Sequence, residues 1–267
     1  MAIVTIANSA KLNAMSRHMW QQLRSVFNSI SGNKDAGCVL ISGAPCGDVK
    51  AFSAGGDISE YPSFRFNEAS LRDFHEIDVW GGLQAMLACD VPIVAQIDGA
   101  CMGAGVEMAS CCDIRIAGAS AKFGAPIAKL GFPMAPKEAE VVVRAVGELT
   151  AREMLLEAAV LDAPTMLQRG FLNRVVADAD VADAAMQSVN RILALAPNAA
   201  RLHGSIGNIN ICHHPVQKAA LQHRWGIQNG GLQQHFTRCQ LANCVFDQCR
   251  FFGSHRKTQL RNRRAEF

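Results

Sequence analysis

An α/β fold of parallel strands joined by crossover helices, ending in a helical C-terminal region, is predicted from three observations. Short apolar runs alternate with segments whose apolar residues recur at helical spacing. Two glycine-rich loops, Ala51-Phe52-Ser53-Ala54-Gly55-Gly56-Asp57 and Asp98-Gly99-Ala100-Cys101-Met102-Gly103-Ala104-Gly105-Val106-Glu107, each follow such a run, Cys38 to Ser42 and Ile93 to Ile97. Beyond Val181 the pattern is helical throughout. Strand–helix alternation of this kind belongs to parallel sheets with crossovers.

Taken in order, Ile3 to Ala7 is the first strand and Asn8 to Asn13 a loop. Ser16 offers an N-cap to a helix bearing Met19, Leu23, Val26, Phe27 and Ile30, which Gly32 and Asn33 end. Cys38 to Ser42 is a short strand of the buried type. Residues 58–78, with Pro62, polar residues and scattered aromatics, read as a mobile segment over a pocket. A helix from about Val79 to Ala88, the strand Ile93 to Ile97 and a helix from Gly103 to Cys111 follow. Ile114 to Ala117 is a strand, and a helix runs from about Pro136 to Val146. Thr150 caps a helix through Ala158, and Asp162 caps another with Pro164 in its first turn. Val175-Val176 is the last strand, and helices Val181 to Leu195 and Pro197 to about Gly204 precede a tail.

At 267 residues the chain can bury one large core, with or without an appendage. Its 49% hydrophobic and 18% charged content is globular. No apolar run approaches the ~20 residues of a membrane helix, and the start lacks the features of a secretion signal. The ten cysteines have no framework spacing, so they read as reduced thiols of a cytoplasmic protein. Net charge is +3, but residues 250–267 carry Arg250, Arg256, Lys257, Arg261, Arg263 and Arg264 against Glu266 alone. A solvated terminal helix explains this tail more simply than a phosphate-bearing partner, and no nucleic-acid partner is expected.

Residues without bulky side chains let a backbone N–H face a ligand closely, and two such groups converging on one oxygen make an oxyanion hole. The second loop also opens a helix, whose first amides favour negative charge. A dinucleotide fingerprint fails at Met108, and no Gly-x-Ser-x-Gly elbow occurs. Cys239, Cys244 and Cys249 with His235 lack zinc-ligand spacing, so no metal is expected.

The two loops, with Lys11-Leu12-Asn13-Ala14, Cys112-Asp113-Ile114-Arg115-Ile116-Ala117, Lys122-Phe123-Gly124, Lys129-Leu130-Gly131 and Gly170-Phe171-Leu172-Asn173-Arg174-Val175-Val176 in order, resemble the enoyl-CoA hydratase/isomerase (crotonase) family over roughly residues 3–200. The resemblance implies a crotonase-like β-β-α spiral over residues 1–195 and a helical trimerisation region over 196–267. It implies a homo-trimer or hexamer, and an acyl-CoA or enoyl-CoA substrate whose coenzyme A is part of the thioester, with no covalently bound cofactor. The family usually carries a further strand before Ile3. The tail echoes the family at Phe246-Asp247 and at its last residues, but not at Phe252-Gly253-Ser254-His255.

By the same resemblance the backbone N–H groups of Gly56 and Ala104 polarise the thioester carbonyl, one such donor being worth roughly 3–4 kcal/mol in other enzymes. Ala104 stands where glycine is frequent, which keeps the donor unless φ must be positive. Glu107 matches one of the two glutamates that hold a hydratase's water. Lys11, Leu12 and Ala14 match a coenzyme A channel, and Ala54, Gly55, Asp57 and Ile58 the loop around adenine and pantetheine. Ser59 replaces a frequent Lys or Arg, for which Lys50 or the basic tail could compensate. Ile127, Leu130 and Phe132 match the acyl pocket.

Ile127 also occupies the place of the second hydratase glutamate, and isoleucine transfers no proton. Ordinary two-glutamate hydration is therefore expected to be weak or absent. The stretch Phe132-Pro133-Met134-Ala135-Pro136-Lys137-Glu138 replaces a glycine-rich one and implies an altered acyl pocket. Glu138 or Glu140 could supply the missing acid, but both read more simply as helix-start residues. His75, Trp80 and Tyr61 read as packing or surface. Three functions stay open: hydratase/isomerase chemistry with Glu107 as sole acid/base, another crotonase reaction such as decarboxylation, isomerisation or thioester hydrolysis, or non-catalytic acyl-CoA binding.

Overall fold

In the computed structural model, residues 1–131 and 133–204 are described; Phe132, the tail with its basic residues, its cysteines and the Phe246-Asp247 echo, and thus most of the predicted trimerisation region, lie outside them. The first sheet has five parallel strands, β1 (Ala2–Ile6), β2 (Val39–Gly43), β4 (Ile93–Ile97), β6 (Ile114–Gly118) and β9 (Arg174–Val176), adjacent in that order. The second contains β3 (Ala51–Ser53), β5 (Ala100–Met102), β7 (Lys122–Gly124) and β8 (Val160–Asp162). The turns that begin at β2, β4 and β6 each give one strand to each sheet and then a helix. That is the β-β-α spiral expected.

The apolar runs bury both faces of the central strands β2 and β4, as parallel sheets require, whereas the edge strand β1 leaves Ile3 and Thr5 exposed. Val39, Ile41, Ile93, Ala95 and Ile97 pack with Trp20, Leu23 and Phe27 of α1 (Arg17–Gly32) and Leu83 and Met86 of α3 (Trp80–Ala88). The alternate residues Cys38, Leu40, Val94 and Ile116 pack with Ala185 and Val189 of α8 (Val181–Leu193). Period-two alternation thus sends each strand's side chains into two separate cores.

Ser16 caps α1 as expected, accepting from the Met19 N–H at 3.2 Å, and Asp162 caps α7 (Ala163–Gln168) by accepting from Thr165. Thr150 is not a cap. It is buried inside α6 (Glu148–Leu156), whose N-cap is Gly147 at φ +83°, a backbone conformation that threonine resists. Residues 58–78 are not an unstructured cover. They form a 3₁₀ turn at Tyr61–Ser63, helix α2 (Glu68–Asp73) capped by Asn67, and a π-helical turn at Phe74–Val79 that runs into α3. Phe64 and Phe74 are buried and stacked, which ties this segment to the core.

At the close of β2 the two sheets nearly touch. A Cβ on Gly43 would lie 2.2 Å from the Ala51 carbonyl oxygen and 2.7 Å from that of Phe52. Backbone on that side cannot swing away as a side chain can. Gly43→Ala is expected to destabilise the fold by about 1–3 kcal/mol, read as a lower urea midpoint at unchanged slope. An unchanged midpoint would show that the sheet junction yields.

Candidate functional site

The two glycine loops meet at one cavity of about 320 Å³, lined by Ala54, Gly55, Gly56, Tyr61, Phe74, His75, Ala104, Glu107, Ile127, Leu130, Met134 and Glu138, among others. Its floor is α4 (Ala104–Ser110), every residue of which is buried. The helix begins where Gly103, at φ +45°, turns the chain and donates its N–H to the Gly124 carbonyl at 2.8 Å. Gly103 takes the positive φ, so Ala104 does not need it and keeps its amide donor. Gly55, at φ +114°, makes the equivalent turn in the first loop.

The first loop is laced to residues 12–15. Ala54 donates to the Leu12 carbonyl, Met15 to that of Gly55 and Asp57 to that of Met15, at 2.8–2.9 Å. Among the described residues neither the Gly56 nor the Ala104 N–H has an acceptor, and both residues line the cavity. The Tyr61 hydroxyl sits over Gly56, where an added Cβ would lie 2.4 Å from it. Burial, and then the charges of Glu107 and Glu138, push the Tyr61 hydroxyl up to about 12, so it stays protonated.

Glu107 lies in the first turn of α4, 4% exposed, and no described residue hydrogen-bonds its side chain. Burial, and then the Glu138 charge, push its carboxyl well above the usual range. Glu138 is not merely a helix-start residue. It sits in the first turn of α5 (Pro136–Val146), 3% exposed, and lines the same cavity, whereas Glu140 is exposed. His75 meets it, Nδ1 to Oε1 at 2.8 Å, from the π-helical turn. Tyr61 packs against Phe64 and Phe74 and His75 against Phe74, and both also line the cavity. Trp80 instead lies beneath the Lys137 ammonium, 5.4 Å from the ring centroid. One signal in the sequence could have found Glu138: a carboxylate following a proline-rich stretch that replaces a glycine-rich loop beside the reacting carbons.

The residues predicted to hold coenzyme A divide. Ala54 and Gly55 line the cavity, and Ile58 is exposed nearby in sequence. Ala14 is buried, and Leu12 supports the loop through its carbonyl. Lys11 reaches Asp57 at 2.6 Å and Ser59 at 2.8 Å. Burial raises the Asp57 carboxyl, but the Lys11 ammonium and the Ser59 hydroxyl and N–H together hold it below the usual carboxylate range. Lys50 does not stand in beside Ser59. It bonds the Asp178 carbonyl and pairs with Asp98, at the far end of β3 from the loop. Ile127 and Leu130 line the apolar wall as expected, with Pro133 and Met134.

A raised carboxyl binds its proton more tightly in the folded chain than in the unfolded one. The contribution of Glu107 to stability therefore falls as pH rises from the unfolded value near 4.5 toward the folded value. Glu107→Gln, which never ionises, is expected to melt above wild type at about pH 8, with the gap closing toward pH 5. A gap independent of pH in calorimetric melts would show that the Glu107 charge carries no cost.

The model of the enoyl-CoA hydratase/isomerase family matches residues 1–222. The chain is 32% identical over 200 residues to a probable enoyl-CoA hydratase of Mycobacterium leprae, covering 75% of this chain and 74% of that one. It is 30% identical over 201 residues to a short-chain-enoyl-CoA hydratase of Clostridium acetobutylicum, covering 75% of each. A crystal structure described as an enoyl-CoA hydratase/carnithine racemase from Magnetospirillum magneticum superposes with a TM-score of 0.76 at 32% identity, over 90% of this chain and 89% of that one. With its spiral of paired strands and its two glycine loops on one cavity, the chain belongs to the enoyl-CoA hydratase/isomerase family and has the crotonase fold.

Proposed function

We propose that the protein turns over acyl-CoA thioesters through an enolate held by the backbone N–H groups of Gly56 and Ala104, with Glu107 moving a proton at the α carbon. One observation carries this reading: two amides without acceptors among the described residues and a buried carboxylate line one cavity. Donors fixed before the reaction stabilise developing negative charge without reorganising. A carboxyl raised above its usual range is matched to proton transfer near neutrality.

Coenzyme A runs over Lys11, Leu12, Ala14, Ala54, Gly55, Asp57 and Ile58, where the half-exposed Lys11 offers a positive charge to phosphate. The acyl group lies against the wall of Ile127 and Leu130. The relatives' names support a 2-enoyl thioester as substrate and hydration as the reaction, a lyase step of fatty acid metabolism. Ile127 favours a second reading, in which the same enolate serves isomerisation, decarboxylation or thioester hydrolysis in a drier pocket. Assembly into a homo-trimer or hexamer through residues 196–267, in the cytoplasm, completes the proposal.

The test is hydrogen exchange at the α carbon of butyryl-CoA in deuterated water, followed by mass. Wild type is expected to exchange, and Glu107→Gln to be slower by about 10²–10⁴-fold. Abstraction needs the Glu107 carboxylate, so the rate should rise with pH until its raised pKa is passed. A wild type that binds the ester yet exchanges no faster than Glu107→Gln would make this a non-catalytic acyl-CoA-binding protein.

A further inference from the structure

The cavity holds a second carboxylate that the enolate step does not use. Glu138 is brought in by the first turn of α5, and its imidazole partner by the π-helical turn before α3. A π-helical turn is a rare interruption that concentrates at functional sites, and this one places Phe74, His75 and Val79 on the cavity wall. A charge that is 3% exposed is costly to folding unless paired, and one hydrogen bond of 2.8 Å to His75 is what Glu138 receives from the described residues. Glu140, one turn position away, faces solvent. Such a burial gives the fold little that an apolar residue would not give.

We propose that Glu138, positioned by His75, is the second proton-transfer group of the site and acts as the base at the β carbon, which leaves to Glu107 the acid role that Ile127 cannot fill. This rests on the enolate reading above and extends it to hydration of a 2-enoyl thioester. The Glu138 carboxylate takes a proton from water as the water oxygen bonds to C3. The electron pair of the C2–C3 double bond moves into the thioester, giving the enolate on the Gly56 and Ala104 amides. The enolate then takes the Glu107 proton at C2. Glu138 gains one proton and Glu107 loses one, and the cavity passes it back before the next turnover. His75, with the proton on Nδ1, fixes one carboxylate oxygen and leaves the other for water. Two carboxyl groups in unlike surroundings, one with an imidazole partner and one without, divide the work of acid and base in this way.

Hydration of crotonyl-CoA, followed by loss of enoyl absorbance, and α-hydrogen exchange of butyryl-CoA are measured side by side on the full chain. Glu138→Gln, which keeps the shape, is expected to lower kcat for hydration about 10²–10⁴-fold with KM little changed, a far greater loss than in exchange. His75→Ala should lose part of that rate, and His75→Asn, whose amide can donate in place of Nδ1, should recover most of it. Combined with Glu138→Gln, His75→Ala should add no further loss, because the two act as a unit. Wild-type hydration rates in Glu138→Gln overturn this proposal. So does a wild-type protein that exchanges α-hydrogens but does not hydrate crotonyl-CoA. Both outcomes leave the enolate reading standing, whereas a wild type that binds butyryl-CoA without exchanging it overturns both.

Discussion

The buried amide of Asn13 is the tie on which the site's geometry depends. Its Nδ2 donates to the carbonyls of Ala44 and Ala51, each at 2.8 Å, and its Oδ1 accepts from the Asn8 N–H at 3.1 Å. Those bonds close residues 8–13 into a loop and clamp it across the end of β2 and the start of β3, where Gly43 leaves no room for a side chain. From the same loop Leu12 and Met15 bond the first glycine turn. The Gly56 amide is therefore positioned by a residue that does not line the cavity. Asn13 adopts φ +58°, a left-handed conformation that asparagine tolerates better than most residues. Removing the amide would leave buried carbonyls unpaired, at about 1–3 kcal/mol.

How much of this was legible follows from length and from period. Five-residue strands such as Ile93–Ile97 announce themselves as apolar runs, and caps such as Ser16 and Asp162 act within a single turn, so a linear reading finds them. The second sheet did not announce itself. Its four strands are three residues each, too short to display a period, and β5 falls inside the glycine loop itself. Thr150 shows the converse error: a good cap residue by type, placed inside a helix because Gly147 already supplies the turn. Lys11-Leu12-Asn13-Ala14 was legible as a motif, but its work as a structural clamp was not. Hydrogen bonds reaching 31 and 38 residues ahead leave no local trace.

Within the site, Gly56, Ala104 and Glu107 could be placed from sequence because loop and helix lie together in the chain. Glu138 could be named but not chosen over Glu140, and its pairing with His75 could not be read. They are 63 residues apart, and which face of its helix each presents depends on the preceding turns. The π-helical turn shifts His75 off the face that α-helical spacing predicts, and the turn before α5 sets Glu138 inward and Glu140 outward. Packing of α5 against α4 then brings two first-turn carboxylates to one cavity.

That convergence also bears on Ile127. Helix N-termini favour anions, but burial, and then the Glu138 charge beside it, raise the Glu107 carboxyl. A glutamate at position 127, where hydratases carry one, would add a third carboxylate to a cavity in which two already oppose each other. An apolar residue there keeps that side of the cavity dry. Ile127 and Glu138 thus shape one cavity from two places in the chain.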